Sequence, residues 1–183
     1  MRKMFFICCF LITTILSAQS AVSKGIYTVG GSLSYTTVSF ENSSQANSTF
    51  SVNPVFGYFF LDNFYTAISL DYEHRSYGSI KQDMYGFGPS IRYYAHTEKV
   101  VPFIGASYNF YWQDVSSSGG DKATSTELMF TGGLDYFITD YFAIESTINY
   151  SLFNFKYPPG FYTNNAVKAW QFKVGIGASY YIH

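Results

Sequence analysis

Phe50-Ser-Val-Asn-Pro-Val-Phe-Gly-Tyr-Phe-Phe-Leu-Asp-Asn-Phe64 divides cleanly by parity. Phe50, Val52, Pro54, Phe56, Tyr58 and Phe60 fall on one side, and Ser51, Asn53, Val55, Gly57 and Phe59 on the other. Successive side chains of a strand point to opposite faces, so the segment reads as a strand with one apolar wall. Leu61-Asp62-Asn63 supplies a short polar turn, and a second strand starts at Phe64. Tyr136-Phe-Ile-Thr-Asp-Tyr-Phe142 repeats the end of this unit, turn included, as up-and-down strand pairs allow.

Working outward, the same alternation predicts eight strands: Tyr27–Ser39, Thr49–Phe60, Phe64–His74, Met84–Ala95, Val101–Trp112, Thr126–Phe137, Phe142–Phe153 and Val167–Ile182. The linkers between them alternate long and short, with Arg75–Asp83 read as one of the long ones. An outer-membrane barrel has long outer loops and short periplasmic turns, so this order predicts that both termini are periplasmic. One parity face carries no Asp, Glu, Lys or Arg in these predicted strands apart from Lys168, at the start of the last. The other collects Asp71, Glu73, Arg92, Glu127, Asp135, Glu145 and Lys173, with glycines such as Gly57, Gly86, Gly88, Gly105 and Gly133. Inward side chains converge in a narrow barrel, which requires small residues beside large ones. The fold expected is therefore all-β: an eight-stranded antiparallel up-and-down transmembrane barrel.

Composition agrees. The chain of 183 residues is 21% aromatic and only 13% charged, against about 25% charged in soluble domains. A soluble lipocalin-like barrel would turn the apolar face inward and show a charged one to water. Here the polar face has few charges, and the apolar face ends in Tyr and Trp, as membrane girdles do. No basic patch points to nucleic acid.

Residues 1–20 read as a cleavable signal peptide: Arg2 and Lys3, then apolar Met4 to Leu16, then Ser17-Ala-Gln-Ser20. Cys8 and Cys9 belong to it, so the mature domain, 21–183, contains no thiol. Loss of Arg2 and Lys3 leaves 11 − 2 = 9 basic against 12 acidic residues, a formal charge of −3.

Asn53–Phe64, together with Gly86-Phe-Gly-Pro-Ser-Ile-Arg-Tyr-Tyr94 and Val101-Pro-Phe-Ile-Gly-Ala106, resembles the small outer-membrane β-barrel family, the OmpA/OmpX-like group, in its Bacteroidota-type versions. The resemblance covers about residues 21 to 183. It implies an eight-stranded barrel in the outer membrane of a Gram-negative cell, inserted by the barrel-assembly machinery, which reads the last strand. Lys173, Gly175 and Tyr180 fit that insertion signal, although the chain runs on through Tyr181-Ile-His183 where the commonest form closes on Phe. No peptidoglycan-binding domain is expected to follow.

Function is less legible. The seven inward charges form either a solute path or a network that fills the lumen; eight strands enclose only their own side chains, which favours the network. His74-Arg-Ser76 sets His and Ser on one face, an arrangement lipid A deacylases use, but no carboxylate can be assigned to orient the His. No enzyme is therefore expected. His96 and His183 have no metal-ligand spacing, and neither metal nor cofactor is expected. Tyr157-Pro-Pro-Gly-Phe161-Tyr162 stiffens a loop that displays aromatics, making Tyr157, Phe161 and Tyr162 the candidate contact for an unidentified extracellular partner. The leading expectation is a monomeric barrel in contact with outer-membrane lipid, with a structural or surface-interaction role. A porin-like small-solute channel comes second, a lipid A-modifying enzyme third and a soluble lipocalin-like binder fourth.

Overall fold

The computed structural model describes residues 22–39, 46–77, 80–95, 99–114, 122–156 and 166–182. The segment expected to be a signal peptide, with Cys8 and Cys9, the residues Tyr157, Phe161 and Tyr162, and His96 and His183 lie outside them. The described residues form β1 (Tyr27–Ser39), β2 (Ala46–Leu61), β3 (Phe64–Tyr77), β4 (Ile80–Tyr94), β5 (Val100–Asp114), β6 (Lys122–Thr139), β7 (Phe142–Lys156) and β8 (Ala166–Ile182). Each strand pairs antiparallel with its sequence neighbours, and β8 returns to β1 to close the barrel.

The predicted parity holds in register. Leu33 is 71% exposed, Ile104 67% and Ile176 72%, all on the outer wall, while Phe59 and Asp135 are fully buried inside. This is the reverse of a soluble cup: the apolar face is the outer one. Aromatic pairs rim both ends of the apolar band, among them Phe64 with Tyr93 and Tyr72 with Tyr85. Within the described strands, outward charges such as Lys81, Asp83, Lys156 and Lys168 lie beyond that rim, at the loop end.

The strands run further toward the loop end than alternation predicts. The stretch read as a long linker, Arg75–Asp83, is mostly ladder: Arg75↔Gln82, Ser76↔Lys81 and Tyr77↔Ile80 continue the β3–β4 pairing. Polar residues occupy both faces there, which erases the period-two signal, but a hairpin ladder needs no apolar face to continue. The echoed turns match in detail. The β2–β3 and β6–β7 registers each slip by one residue, at Phe59/Leu61 and at Phe137/Thr139.

One seam differs. β1 pairs with β2 along all of Tyr27–Ser39, but with β8 only from Tyr27↔Ile182 to Gly31↔Ala178. At Gly31 the backbone turns to φ +155°, and a Cβ there would lie 2.4 Å from the Asn53 carbonyl. Gly31 faces Pro54, which has no N–H to give the ladder. Above this point the two edges separate, and Ser34, Gln171 and Lys173 are exposed although their parity is inward.

Candidate functional site

The lumen is filled in layers. At the turn end, residues Val22 and Ile26 cross the opening; the Asn63 N–H donates to the Val22 carbonyl at 2.9 Å, and the Gly25 N–H to that of Phe59 at 2.8 Å. Above them Phe59 packs against Tyr65, Tyr94 and Tyr181, with ring centroids 5.0, 5.3 and 6.2 Å apart. So much aromatic volume requires relief opposite it. A Cβ on Gly57 would stand 1.9 Å from the Tyr65 hydroxyl, which bonds the Thr28 hydroxyl at 2.8 Å.

The next layer is ionic. Arg92 on β4 reaches across the lumen to Glu145 on β7, 2.5 Å from guanidinium nitrogen to carboxylate oxygen, and both side chains are 16% exposed. The guanidinium also lies 4.6 Å from the Phe103 ring centroid. Asp135 stands beside Glu145 in the β6–β7 ladder and accepts from the Tyr181 hydroxyl at 2.7 Å. A buried ion pair of this kind survives where each partner is hydrogen-bonded or charge-matched.

Higher still, Asn109 and the Tyr111 hydroxyl both donate to Glu127, each at 2.7 Å. Thr131 donates to Asn149, and Asn53 to Asp71, also at 2.7 Å. Near the loop end Arg75 pairs with Glu73, which also accepts from Ser51.

Six of the seven predicted lumen residues thus have partners: Asp71, Glu73, Arg92, Glu127, Asp135 and Glu145. Lys173 is set apart. It has no hydrogen-bond or ion-pair partner among the described residues and stands in the open part of the β1–β8 seam. Gly175 and Tyr180 lie on β8, Gly175 beside Thr147 of β7, and Tyr180 on the outer wall. Sequence reasoning missed Arg75, because it was placed in a linker; its parity with Asp71 and Glu73 was the available signal.

A second cluster lies outside the barrel, at the loop end of β3 and β4. The His74 Nδ1 is 2.7 Å from Asp83 Oδ1, and the Tyr72 hydroxyl donates to the same oxygen at 3.0 Å. Ser76 follows on the same face. Asp83 is the orienting carboxylate that the sequence did not supply, again because 75–83 was read as a loop.

Two solved structures share this architecture. The N-terminal β-barrel domain of Pseudomonas aeruginosa OprF superposes with a TM-score of 0.56 at 12% identity, covering 87% of this chain and 98% of that one. Neisserial surface protein A gives a TM-score of 0.53 at 18% identity, covering 86% of this chain and 97% of that one. At such identities the likeness shows the fold alone. No curated protein matches. Residues 6–180 match the family described as outer membrane protein beta-barrel domain. The inside-out polarity of the wall, its closure over eight strands and this match agree: the chain belongs to the outer membrane protein beta-barrel family, whose place is the bacterial outer membrane.

Proposed function

We propose that this barrel serves a structural or surface-interaction role, inserted as a monomer with its loop end outward and both termini in the periplasm. The observation that carries this reading is the plugged lumen. Aromatic rings close the turn end and Arg92–Glu145 bridges the middle, so these groups are committed to one another across the lumen. A solute would have to part a buried ion pair to pass, leaving both charges without their partner in the lumen. That argues against the porin-like alternative. What remains free to meet other molecules is the loop end, where the aromatic Tyr157–Tyr162 stretch is the first candidate for an extracellular partner.

The experiment has two parts. Outer-membrane fractions run unboiled and boiled on SDS gels should give a faster unboiled band. Protease added to intact cells should cut near residues 115–121 or 157–165 and leave both termini intact. A single mobility, or cleavage at the termini of intact cells, would overturn the assignment.

A further inference from the structure

The geometry points to an esterase site on the outer wall of the barrel, with Ser76 as nucleophile, His74 as general base and Asp83 as the residue that positions His74; its substrate is an acyl ester of an outer-leaflet lipid. The inference goes beyond the surface role proposed above and uses only its orientation, loop end outward.

Four observations carry it. First, Asp83 Oδ1 holds His74 Nδ1 at 2.7 Å, which fixes the ring and leaves Nε2 to take a proton. Second, Ser76 is two residues beyond His74 on β3, hence on the same face, with Cα atoms about 6.6 Å apart, a span an imidazole and a hydroxymethyl group can bridge. Third, the Tyr72 hydroxyl donates to the same Asp83 oxygen at 3.0 Å, so the carboxylate is held from two sides. Half-exposed ion pairs contribute about 0–1 kcal/mol to stability, so folding gives little reason for three side chains to converge here. Fourth, the cluster sits directly above the aromatic rim. Tyr72 and Tyr85 pair with ring centroids 5.3 Å apart, and below them Leu70 and Phe87 are exposed on the apolar wall. Lipid esters lie at this boundary, with their acyl chains toward Leu70 and their headgroups toward the loops. Lys81, exposed and opposite Ser76 in the ladder, adds positive charge for the oxyanion or an anionic headgroup.

The chemistry balances with water as co-reactant. The Ser76 Oγ attacks the ester carbonyl while its proton passes to His74 Nε2. The C–O bond to the lipid alcohol then breaks, and that alkoxide takes the proton from His74. Water attacks the acyl-Ser76 ester, giving its proton to His74, which returns it to Ser76 as the fatty acid leaves.

The test uses the full-length barrel in detergent-destabilised vesicles, one preparation of phosphatidylethanolamine and one of lipid A, with released fatty acid read by mass spectrometry. Unboiled gel mobility reports folding separately, so a failure of insertion is not mistaken for a failure of catalysis. Fatty acid released from either preparation, falling at least 100-fold in S76A and in H74A, is the expected result, and the preparation that yields it identifies the lipid class. D83N should lower kcat with KM unchanged, and D83E should restore most of it. A fluorophosphonate should label the folded wild-type protein at Ser76, which keeps the site testable should a variant not fold. No release from either preparation by folded wild-type protein, release that survives S76A, or label absent from Ser76 would each overturn the proposal.

Discussion

Replacing Arg92 by methionine tests whether the lumen is held shut by paired charge or only by packed rings. Methionine keeps much of the arginine stem and its contact with Phe103, so most of the packing survives. What disappears is the cation. Glu145 is then left 16% exposed with Asp135 beside it in the ladder, two carboxylates without the guanidinium that lay between β4 and β7. Breaking one half of a buried pair costs about 3–5 kcal/mol. With a urea slope of about 2 kcal/mol per M, the unfolding midpoint should fall by about 1.5–2.5 M. The assay is urea unfolding in lipid vesicles, followed by the fraction of fast-migrating unboiled band. E145Q and the double variant R92M/E145Q complete a cycle in which the double costs less than the sum, by about 0.5–3 kcal/mol. A midpoint within about 0.3 M of wild type, together with zero coupling, would refute the reasoning, because that shift is under 1 kcal/mol at such a slope.

Gly57→Val places a Cβ 1.9 Å from the Tyr65 hydroxyl, where Phe59 and Tyr94 prevent the ring from withdrawing, and should destabilise the barrel by about 1–3 kcal/mol or more in the same assay. Gly132→Ala, where a Cβ meets nothing within 4 Å, should leave the midpoint unchanged. In planar bilayers the wild-type barrel should show no stepwise conductance; regular steps would mean that the Arg92 layer opens. At the seam, Val29→Cys with Tyr180→Cys should cross-link on mild oxidation, since those positions face each other. Tyr35→Cys with Val174→Cys should not, although continued register would make them neighbours; efficient cross-linking there would show a fully closed seam.

The fold was legible because lipid on one side and a crowded lumen on the other impose opposite chemistry on adjacent residues, and Phe50 to Phe64 display that contrast without interruption. The lumen charges were legible for the same reason: Arg92 and Glu145 share a parity, although nothing in the sequence says they meet across 53 positions. What failed was the loop end. From Arg75 to Asp83 both faces are polar, so the alternation that reveals a strand vanishes while the backbone ladder continues. His74 could be noticed, but its partner Asp83 could not, because pairing nine residues apart depends on a hairpin register that polar sequence does not advertise. Lys173 was placed with the network by parity alone. Parity gives the direction of a side chain, not whether the neighbouring strand is there to enclose it.

The half-joined seam has a consequence for how this chain tolerates change. Below Gly31 the inward side chains of Phe59, Tyr94, Asp135 and Tyr181 are buried against one another's layers, and a substitution there disturbs rings, ions and ladder together. Above it, Ser34, Gln171 and Lys173 open sideways into a notch, so exchanging them displaces little. The barrel is thus a rigid base carrying a permissive rim. New side chains can be tried at the end that meets the outside world while the end that secures the fold stays as it is.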